Sequence, residues 1–596
     1  MDRKVMYEQL VRKKRRTAYY GLTNFRPIVG EDLLSNFKES LSKKRRQWKV
    51  EHKKGNRAMK MMQIVNFESI PECFPSYENT LSLLNRFFES IWYRAFPLIN
   101  QGTILGDFME IFQNSNGKVT ARNMEQVQYS RIALIMLLVE YSIQEDEIED
   151  KNLYDVSDKL LNHATSLLFQ GNTLKFSTVP TLQALILLRL HKKYNLRDND
   201  GGDGSNGTLL HSLCINMAIN MGFHRSIDSL YAAESLTARR TIKKIWLFLL
   251  HIDALNSVDI GIPLHIHDDY FNDTIFEEQN YMPIDFIKTI RFCAAKLSKL
   301  EVVVGDLLSC IQILKKFIRS ASSQSILQDF YANSLETCDA EKYKDIVVRF
   351  FNILPLFSIL LNCYQIVCLD RENFRDESTM KRFQYSVTRY NMLILVSLGG
   401  FLLSLRRTFK ISIRSLWSQI FLLGIGASKQ VCIRPLISCV QSMTRFTNLQ
   451  LEGKTYDLKM SNVLSSSNPE EEIIERTTCS LNDPMVLNKG IVFFLRGAVD
   501  TPKVLSKHAD DYAISILDFG YSIFVEAYTK KFEQFKDIKE SISMDFEGYF
   551  NIPSSEECNL SISNREEDPL ILMESIQWTS DHVLDQWDDY FLYDLF

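Results

Sequence analysis

Apolar residues recur at helical spacing along most of the chain. From about Ser76 to Leu449 the sequence is rich in Leu, Ile and Phe, and apolar positions repeat every three to four residues. This periodicity predicts amphipathic and buried α-helices. It returns between residues 488 and 543, after a Ser- and Glu-rich stretch.

The pattern predicts an all-α protein, with one large helical domain between a disordered basic N-terminal arm and an acidic C-terminal tail. Low Gly and Pro contents, 23 and 14 residues, favour helices with short connections. The expected segments are a basic arm or linker at 1–60, the helical domain at 76–450, a flexible acidic and Ser-rich loop at 451–487, the last helical part of the domain at 488–543, and an acidic-aromatic tail at 544–596.

The apolar runs argue against a membrane-spanning protein, and the cysteine spacing argues against a structural zinc site. The longest apolar run, residues 392–405, has 14 residues. A membrane-spanning helix needs about 20, so the run predicts a buried helix and no membrane partner is expected. The 11 cysteines are scattered and no two have C-x-x-C spacing, which argues against a structural zinc site. Because no signal peptide is recognisable, we expect a reduced intracellular compartment.

Charge is distributed unevenly along the chain. Residues 1–60 hold 18 Lys/Arg and 6 Asp/Glu, a net charge of +12, although the whole chain carries −4. Two clusters supply much of this charge: Arg12, Lys13, Lys14, Arg15 and Arg16, and then Lys43, Lys44, Arg45 and Arg46. Such clusters are typical of nuclear import signals and of contacts to the DNA backbone, the alternative being a solvated arm without a partner.

The last residues of the chain combine acidic side chains with aromatic ones. Residues 540–596 carry 14 acids against one base, a net charge of −13. The apolar side chains among them that we expect to act in binding are Trp587, Tyr590, Phe591, Leu592, Leu595 and Phe596. Trp587, Phe591 and Leu595 lie four residues apart, so the segment can fold as an amphipathic helix in a partner's groove. This composition is typical of acidic activation segments that bind a coactivator; the alternative is a tail that docks on its own domain.

Three phrases in order resemble the regulatory middle homology domain of fungal zinc-cluster (Zn2Cys6) transcription factors. The first is YRAFPLI, with Phe96 and Pro97; the second is MGFHR, with Gly222, His224 and Arg225; the third runs from Lys243 to Pro263, with Trp246, Asp253 and Gly261. The resemblance is good over about residues 76–300. It implies an all-α regulatory domain, a nuclear location and a role in transcription by RNA polymerase II.

Two of the departures from the family pattern concern the third phrase. Leu247 replaces the second Trp of the family's pair, and Ala254 stands where the family has an Arg after the Asp, which puts a local Asp–Arg pair in doubt. A larger departure is that no cysteine precedes Cys73, so the family's six-cysteine cluster is absent from this chain. The resemblance implies two zinc ions only if such a cluster lies upstream, and no cofactor within this chain.

The matched phrases also have a physical interpretation of their own. Gly222 and Gly261 suit the ends of helices, where a left-handed residue closes the last turn. Trp246 and Asp253 fall on one face of a helix at i and i+7, which predicts a buried carboxylate that needs partners. We expect that carboxylate to be structural rather than catalytic.

Signals for catalysis are weak. His265 to Asp269 reads HIHDD, which resembles part of a metal site, but the helical surroundings and the ten His of the chain argue against one. No G-x-S-x-G or similar signature is present, so we predict that the protein is not an enzyme. Two hypotheses stay open: a homodimer, and a small apolar effector bound between helices of the domain. The Phe-rich stretches with Phe350, Phe351, Phe357, Phe401 and Phe421 could line such a pocket, but residues of this kind most often form core.

The function predicted from the sequence is a nuclear transcriptional regulator of the zinc-cluster type, which contacts DNA weakly and recruits a coactivator through its tail. The alternative is a helical scaffold subunit of a DNA-bound complex without activation function.

Overall fold

The computed structural model divides the chain into two compact units, Met1–Ser438 with Phe494–Phe519, and Cys439–Phe493 with Gly520–Phe596. The structure describes residues 4–5, 9–13, 16–24, 69–122, 129–147, 153–170, 176–194, 207–271, 284–318 and 339–369, with single positions at 43–47, 320–329 and 383–439. All of these except Cys439 belong to the first unit, and the following description concerns that unit.

Helices make up most of the described residues, which confirms the all-α prediction. Their bounds are α1 Tyr77–Glu89, α2 Ile91–Ala95, α3 Gln101–Ile111, α4 Tyr129–Glu147, α5 Leu153–Gln170, α6 Val179–Tyr194, α7 Thr208–Asn220, α8 Ile227–Leu230, α9 Leu236–Ile260, α10 Ile284–Leu297, α11 Val304–Ile318 and α12 Ala340–Leu369. Short 3-10 turns lie at Pro71–Cys73 and Asp268–Tyr270.

Polar side chains fix where several helices begin. Each accepts a hydrogen bond from the backbone N–H three residues later, one of the four amides that a helix leaves unpaired at its start. These caps are Ser76 (3.3 Å), Ser90 (3.3 Å), Asn100 (2.9 Å) and Ser235 (3.1 Å). The first residues of α1, α2, α3 and α9 are therefore determined locally.

The core lies where α4, α6, α9 and α12 are buried on most of their circumference. Residues 132–139 of α4 are each 1% exposed or less. Helix α4 packs against α1, α5 and α6, while α9 packs on α10 and α11 on α12. A helix that is apolar all round can be stable only inside such a shell of other helices.

A buried carboxylate joins three helices of this core. Glu140 of α4 accepts hydrogen bonds from Gln144 (2.7 Å), from Ser157 of α5 (3.0 Å) and from His191 of α6 (3.0 Å). Burying a carboxylate is unfavourable unless donors replace its water, so these contacts fix the rotation of each helix.

A β-hairpin interrupts the helices after α3. Strands β4 (Phe112–Ser115) and β5 (Lys118–Ala121) are antiparallel. Asn116 and Gly117 form the two-residue turn, with φ of 53° and 80°. A type I′ turn requires positive φ at both positions, which Asn-Gly tolerates best. The sequence analysis predicted no strand here.

The basic arm contains strands as well. Strand β1 (Lys4–Val5) pairs with β6 (Val302–Val303), at the start of α11, and β2 (Gln9–Lys13) pairs with β3 (Arg16–Tyr20) as a hairpin. The arm was expected to have no regular structure, so these pairings differ from the prediction. The reason is tertiary, because β1 pairs with a strand about 300 residues away that no local pattern indicates.

The apolar run at 392–405 is helical and buried at its described positions, as predicted: Ile394, Leu395, Leu398, Gly399, Phe401, Leu402 and Leu405. Among the described helices, Ala340–Cys368 is long and apolar enough to cross a bilayer, but 83% of its most apolar window is buried inside the protein. That burial is typical of a core helix.

Substitution by Ala at two glycines should change the free energy of unfolding in opposite directions. Gly117→Ala places a side chain at φ 80° and should lower the free energy of unfolding by about 1 kcal/mol. Gly106→Ala lies inside α3 with nothing within 4 Å of the added Cβ, and should raise it by up to about 1 kcal/mol. Urea unfolding followed by circular dichroism measures both. Equal effects of the two substitutions would contradict the type I′ turn.

Candidate functional site

The second matched phrase forms the end of α7. Gly222 has φ 79°, its N–H donates to the Ile219 carbonyl (2.9 Å), and the Phe223 N–H donates to the Ala218 carbonyl (3.0 Å). These two bonds define a Schellman motif, and Phe223 is buried beneath it. The predicted role of Gly222 at a helix end is confirmed.

The residues after Gly222 form a charged surface at the start of α9. Arg225 is exposed and His224 is half-buried, with its pKa lowered by burial and then by Arg225. In the short helix α8, Asp228 pairs with Lys243 (2.8 Å) and Arg239 (3.4 Å) of α9. These ion pairs are at the surface, so each contributes little to stability.

The aromatic residues of the first and third phrases pack against the core, with Phe96 half-buried and Trp246 fully buried. Phe96 packs its ring edge-on against Phe248 of α9, with ring centroids 5.8 Å apart, and also contacts Tyr194 of α6. Trp246 is 1% exposed and lies 6.3 Å from the ring of Phe271. The phrases therefore bring α2, α6 and α9 together, and Pro97 directly follows this contact.

The Asp253 carboxylate, which is fully buried in α9, organises the loop that follows the helix. Its Oδ1 accepts hydrogen bonds from the backbone N–H of His265 (3.1 Å) and from the ring Nδ1 of the same residue (3.2 Å). Its Oδ2 accepts from the Ile266 N–H (3.0 Å). The prediction of a buried carboxylate that needs partners is confirmed.

Arg291 of α10 completes the surroundings of Asp253. Its Nη1 lies 3.7 Å from Asp253 Oδ2, and it is itself buried. The guanidinium also donates to the carbonyl of Ile266 (2.6 Å) and to the carboxylate of Asp268 (2.7 Å). An Asp–Arg pair is therefore present, which the sequence analysis had put in doubt because Ala254 replaces the family's Arg. The cation comes from a different helix, 38 residues further along the chain.

His265 also links α9 to α7. Its Nε2 lies 3.0 Å from the hydroxyl of Ser212, so Ser212, His265 and Asp253 follow one another as in a hydrolase triad. The Ser212 hydroxyl is equally close to the Thr208 carbonyl, 3.0 Å, and the next backbone N–H groups are used within α7. No oxyanion hole is formed by these amides, so we interpret the three residues as a structural connection between two helices.

The HIHDD segment does not form a metal site where the structure describes it. The His265 ring is hydrogen-bonded to the Asp253 carboxylate, Ile266 is buried, and His267 pairs with Asp269 (3.2 Å) at the surface. Among the described residues, no group of three or more His, Cys, Asp or Glu side chains is arranged to hold a metal ion.

Gly261 ends α9 in a left-handed conformation, as the sequence predicted. Its φ is 78°, and the N–H groups of Gly261 (2.8 Å) and Ile262 (3.2 Å) both donate to the Ser257 carbonyl. The Ser257 hydroxyl returns a hydrogen bond to the Ile262 carbonyl (2.6 Å). Pro263 follows outside the helix, where its missing N–H costs nothing.

Gly261 also meets the N-terminal arm. The N–H of Gly21 donates to the Ile260 carbonyl (2.9 Å), and a Cβ on Gly261 would lie 2.5 Å from the Gly21 carbonyl carbon. Tyr20, Leu22, Thr23 and Asn24 are buried. The sequence analysis missed this contact, because nothing in the arm indicates which part of the helical domain it touches.

The other predicted site residues are only partly described. Arg12, Lys13 and Arg16 lie in the β2–β3 hairpin, and Lys43 and Lys44 are helical positions. The remaining basic residues, Lys14, Arg15, Arg45 and Arg46, and the whole tail with Trp587, Tyr590, Phe591, Leu592, Leu595 and Phe596 lie outside the described residues. Their roles stay predictions.

Two buried histidines are held neutral near the site. His211 of α7 lies 6.4 Å from the ring of His265, and burial lowers its pKa to about 3. His251 of α9 packs on Phe286, with ring centroids 5.3 Å apart, and burial lowers its pKa to about 3 as well. Within the described part of the chain, neither ring nitrogen of His251 has a hydrogen-bond partner.

Residues 84–337 match the family model described as the fungal specific transcription factor domain. Over 289 residues the chain is 24% identical to an uncharacterized transcriptional regulatory protein of Saccharomyces cerevisiae, covering 44% of this chain and 39% of that protein. It is 30% identical to multidrug resistance regulator 1 of Candida albicans over 129 residues, 21% of this chain and 12% of that protein. It is 26% identical to transcription factor PDR8 of S. cerevisiae over 219 residues, 34% and 30% of the two chains.

The matched family and these relatives are transcription factors, not enzymes, and the resemblance found in the three phrases is confirmed. The matches cover at most about two fifths of the length of these relatives. The phrases of the site lie inside the matched residues, and their described contacts shape the fold.

Removing the Asp253 carboxylate should destabilise the domain strongly. Asp253→Ala leaves the N–H groups of His265 and Ile266 without their acceptor and Arg291 without its buried partner. Loss of one partner of such a buried pair costs about 3–5 kcal/mol. The control is Asp269→Ala, whose side chain is 85% exposed and which should change stability by less than about 0.5 kcal/mol. Urea unfolding measures the stability of both variants. A loss of less than about 0.5 kcal/mol for Asp253→Ala would contradict the network.

His251 should make stability depend on pH. Its pKa is about 3 in the folded protein and about 6.5 in an unfolded chain, so the unfolded state binds protons first as the pH falls. The neutral folded form is fully stable above pH 6.5, and stability is lost between pH 6.5 and 3. His251→Leu should remove this loss, gaining about 2 kcal/mol over wild type between pH 7 and pH 5. Thermal melts of the variant and of wild type at pH 7 and pH 5 test this. If the stability difference between the two proteins is the same at both pH values, the buried neutral imidazole is refuted.

Proposed function

We propose that this chain, which carries the fungal specific transcription factor domain, is a nuclear regulator of transcription by RNA polymerase II of the zinc-cluster type. The observation that carries the proposal is the match over residues 84–337, together with relatives whose names describe transcriptional regulators. The same relationship supports a nuclear location, where transcription factors normally act.

The basic arm is proposed to bind the DNA backbone and to serve as the nuclear import signal. Arg12, Lys13 and Arg16 are brought together on two paired strands, Arg12 opposite Thr17 and Lys13 opposite Arg16. A cluster of cations attracts phosphates but carries no information about base sequence. Binding to DNA by this chain alone should accordingly be weak, should show no sequence preference and should fall steeply with salt.

The acidic-aromatic tail is proposed to recruit a transcriptional coactivator. Its support is the sequence: three bulky side chains four residues apart, Trp587, Phe591 and Leu595, within a segment of strong negative charge. Each anchor buried in a groove contributes about 1.5–3 kcal/mol, offset in part by the ordering of the segment.

Two further partners stay hypotheses. A homodimer is suggested by the sequence alone. A small apolar effector was considered for the Phe-rich part of the domain, where Phe351 packs on Phe350 (5.5 Å) and Phe401 (5.0 Å). Because these rings are buried against one another, they support a role in the core more directly than a role as a ligand pocket.

A reporter assay tests the proposed activity. The full chain is fused to a foreign DNA-binding module, because the chain alone is not expected to select the reporter's promoter. Changing Trp587, Phe591 and Leu595 together to Ala should abolish most of its activation, because the three anchors supply most of the contact with the coactivator. A matched control changes Leu570, Ile571 and Leu572 to Ala, which removes three apolar side chains of the same tail outside residues 585–596 and should leave activation near wild type. Reporter output and thermal melting are measured on each variant.

The outcomes separate the proposal from its alternatives. Normal activation by the triple variant would show that the tail is not an activation segment. A fall of several degrees in the melting temperature would show that the tail docks on the protein instead. If the wild-type tail, fused to a foreign DNA-binding module, fails to activate, the helical scaffold subunit becomes the better account.

A further inference from the structure

A short segment of the N-terminal arm forms a turn that is buried in the helical domain, with the Asn24 N–H donating to the Gly21 carbonyl (3.0 Å). Tyr20, Leu22, Thr23 and Asn24 are 1%, 6%, 1% and 1% exposed. The segment directly continues strand β3 of the basic hairpin, because Tyr20 is the last residue of that strand. Burial of an irregular segment is unusual, since its backbone polar groups need partners inside the protein.

Those partners come from three parts of the domain. At the end of α9, the carbonyl of Ile260 accepts from the Gly21 N–H (2.9 Å) and the carbonyl of Asp259 accepts from the Asn24 side chain (2.8 Å). The carbonyl of Thr23 accepts from Asn362 of α12 (2.9 Å) and from Arg434. We call the residues that hold the segment, Asp259–Gly261, Asn362 and Arg434, the peptide groove.

At one point the peptide groove contacts only the backbone of the bound segment and leaves no room for a side chain. A Cβ on Gly21 would overlap the carbonyl oxygen of Gly261 and lie 2.8 Å from its carbonyl carbon. Both are backbone atoms at the end of α9, where φ of 78° fixes the chain direction, so they cannot turn aside as a side chain can. Glycine is therefore the residue that fits at the narrowest point.

The groove is polar although it lies in the interior. Arg434 is 5% exposed and Asn362 is fully buried, and burial lowers the pKa of Arg434. The nearby Asp259 attracts that cation and offsets part of the lowering of its pKa, while the pKa of Asp259 itself is raised to about 6 by removal from water. Without the Thr23 carbonyl, the donors of Asn362 and Arg434 would lose their acceptor, which is costly inside a protein.

The hairpin is thus attached to the domain on both sides. Before it, β1 pairs with β6, Lys4 opposite Val303 and Val5 opposite Val302. After it, residues 20–24 fill the peptide groove. A two-stranded hairpin alone is at best marginally stable in water, so these two attachments determine where its cations are held.

We infer that the peptide groove is a binding site for a short peptide turn with glycine at its narrowest point, which residues 20–24 occupy within the same chain. The chemistry that the groove recognises is a glycine followed two and three residues later by a carbonyl acceptor and an amide side chain. A separate peptide with that chemistry can enter the groove once residues 20–24 have been displaced. The inference does not depend on the proposed DNA contact or on the tail.

The first test releases the segment in the full chain. Gly21→Ala should leave α9 and α12 slow in hydrogen–deuterium exchange but speed exchange of residues 20–24 at least tenfold, because the added Cβ cannot enter the groove. Gly305→Ala is the control, a glycine whose added Cβ meets nothing within 4 Å. If Gly21→Ala fails to fold, Asn24→Ala, which removes the bond to the Asp259 carbonyl, serves instead.

The second test fills the released groove from solution. A synthetic peptide of residues 19–24, YYGLTN, should raise the melting temperature of the Gly21→Ala chain in a concentration-dependent manner, since a ligand of the folded state stabilises it. The peptide YYALTN should not, and neither peptide should change wild type, whose groove is occupied. In the Asn24→Ala chain, whose own segment still competes, a smaller shift is expected.

The outcomes are decisive in both directions. Release of residues 20–24 together with a shift by YYGLTN alone supports the site. Unchanged exchange of residues 20–24 in both variants, no shift at millimolar YYGLTN, or an equal shift in wild type would overturn it. Weak DNA binding that fails to depend on the hairpin would refute the proposed DNA contact and leave this inference standing.

Discussion

The burial of the Asp253 carboxylate is the interaction on which the rest of the site depends. From Ile245 to Val258 every residue of α9 is buried, so the helix has no solvent side along that length. A charge there is tolerated only where donors replace its water. The backbone of residues 265–266 and Arg291 supply those donors, and in doing so they fix the loop after α9 and the position of α10.

The conformation at the end of α9 couples the hydrogen bonds of Asp253 to the position of the N-terminal arm. Because the loop is tied back to Asp253, the left-handed Gly261 is held in place with its backbone against Gly21, whose N–H donates to the Ile260 carbonyl. The close approach of these two glycines lets residues 20–24 enter the interior, which positions the basic hairpin. The phrases that resemble those of transcription factors thus act through the fold.

Much of this fold follows from the sequence, and the exceptions have physical reasons. Periodicity predicted the helices, and glycine at positions 222 and 261 predicted their ends, because those signals are local. The Asn116-Gly117 turn was missed although its signal is among the strongest for a hairpin. Arg291 could not be assigned to Asp253, nor residues 20–24 to α9, since each depends on a contact between distant parts of the chain that no spacing indicates.

Hydrogen–deuterium exchange of the wild-type protein tests the central claim most directly, with peptides that cover residues 262–266 compared with those that cover α9. The loop is not helical, so only the Asp253 carboxylate and the packing around Ile266 can slow the exchange of its amides. We predict that the amides of His265 and Ile266 exchange nearly as slowly as the buried turns of α9. Exchange of both amides at the rate of an exposed loop, while α9 stays protected, would contradict the account.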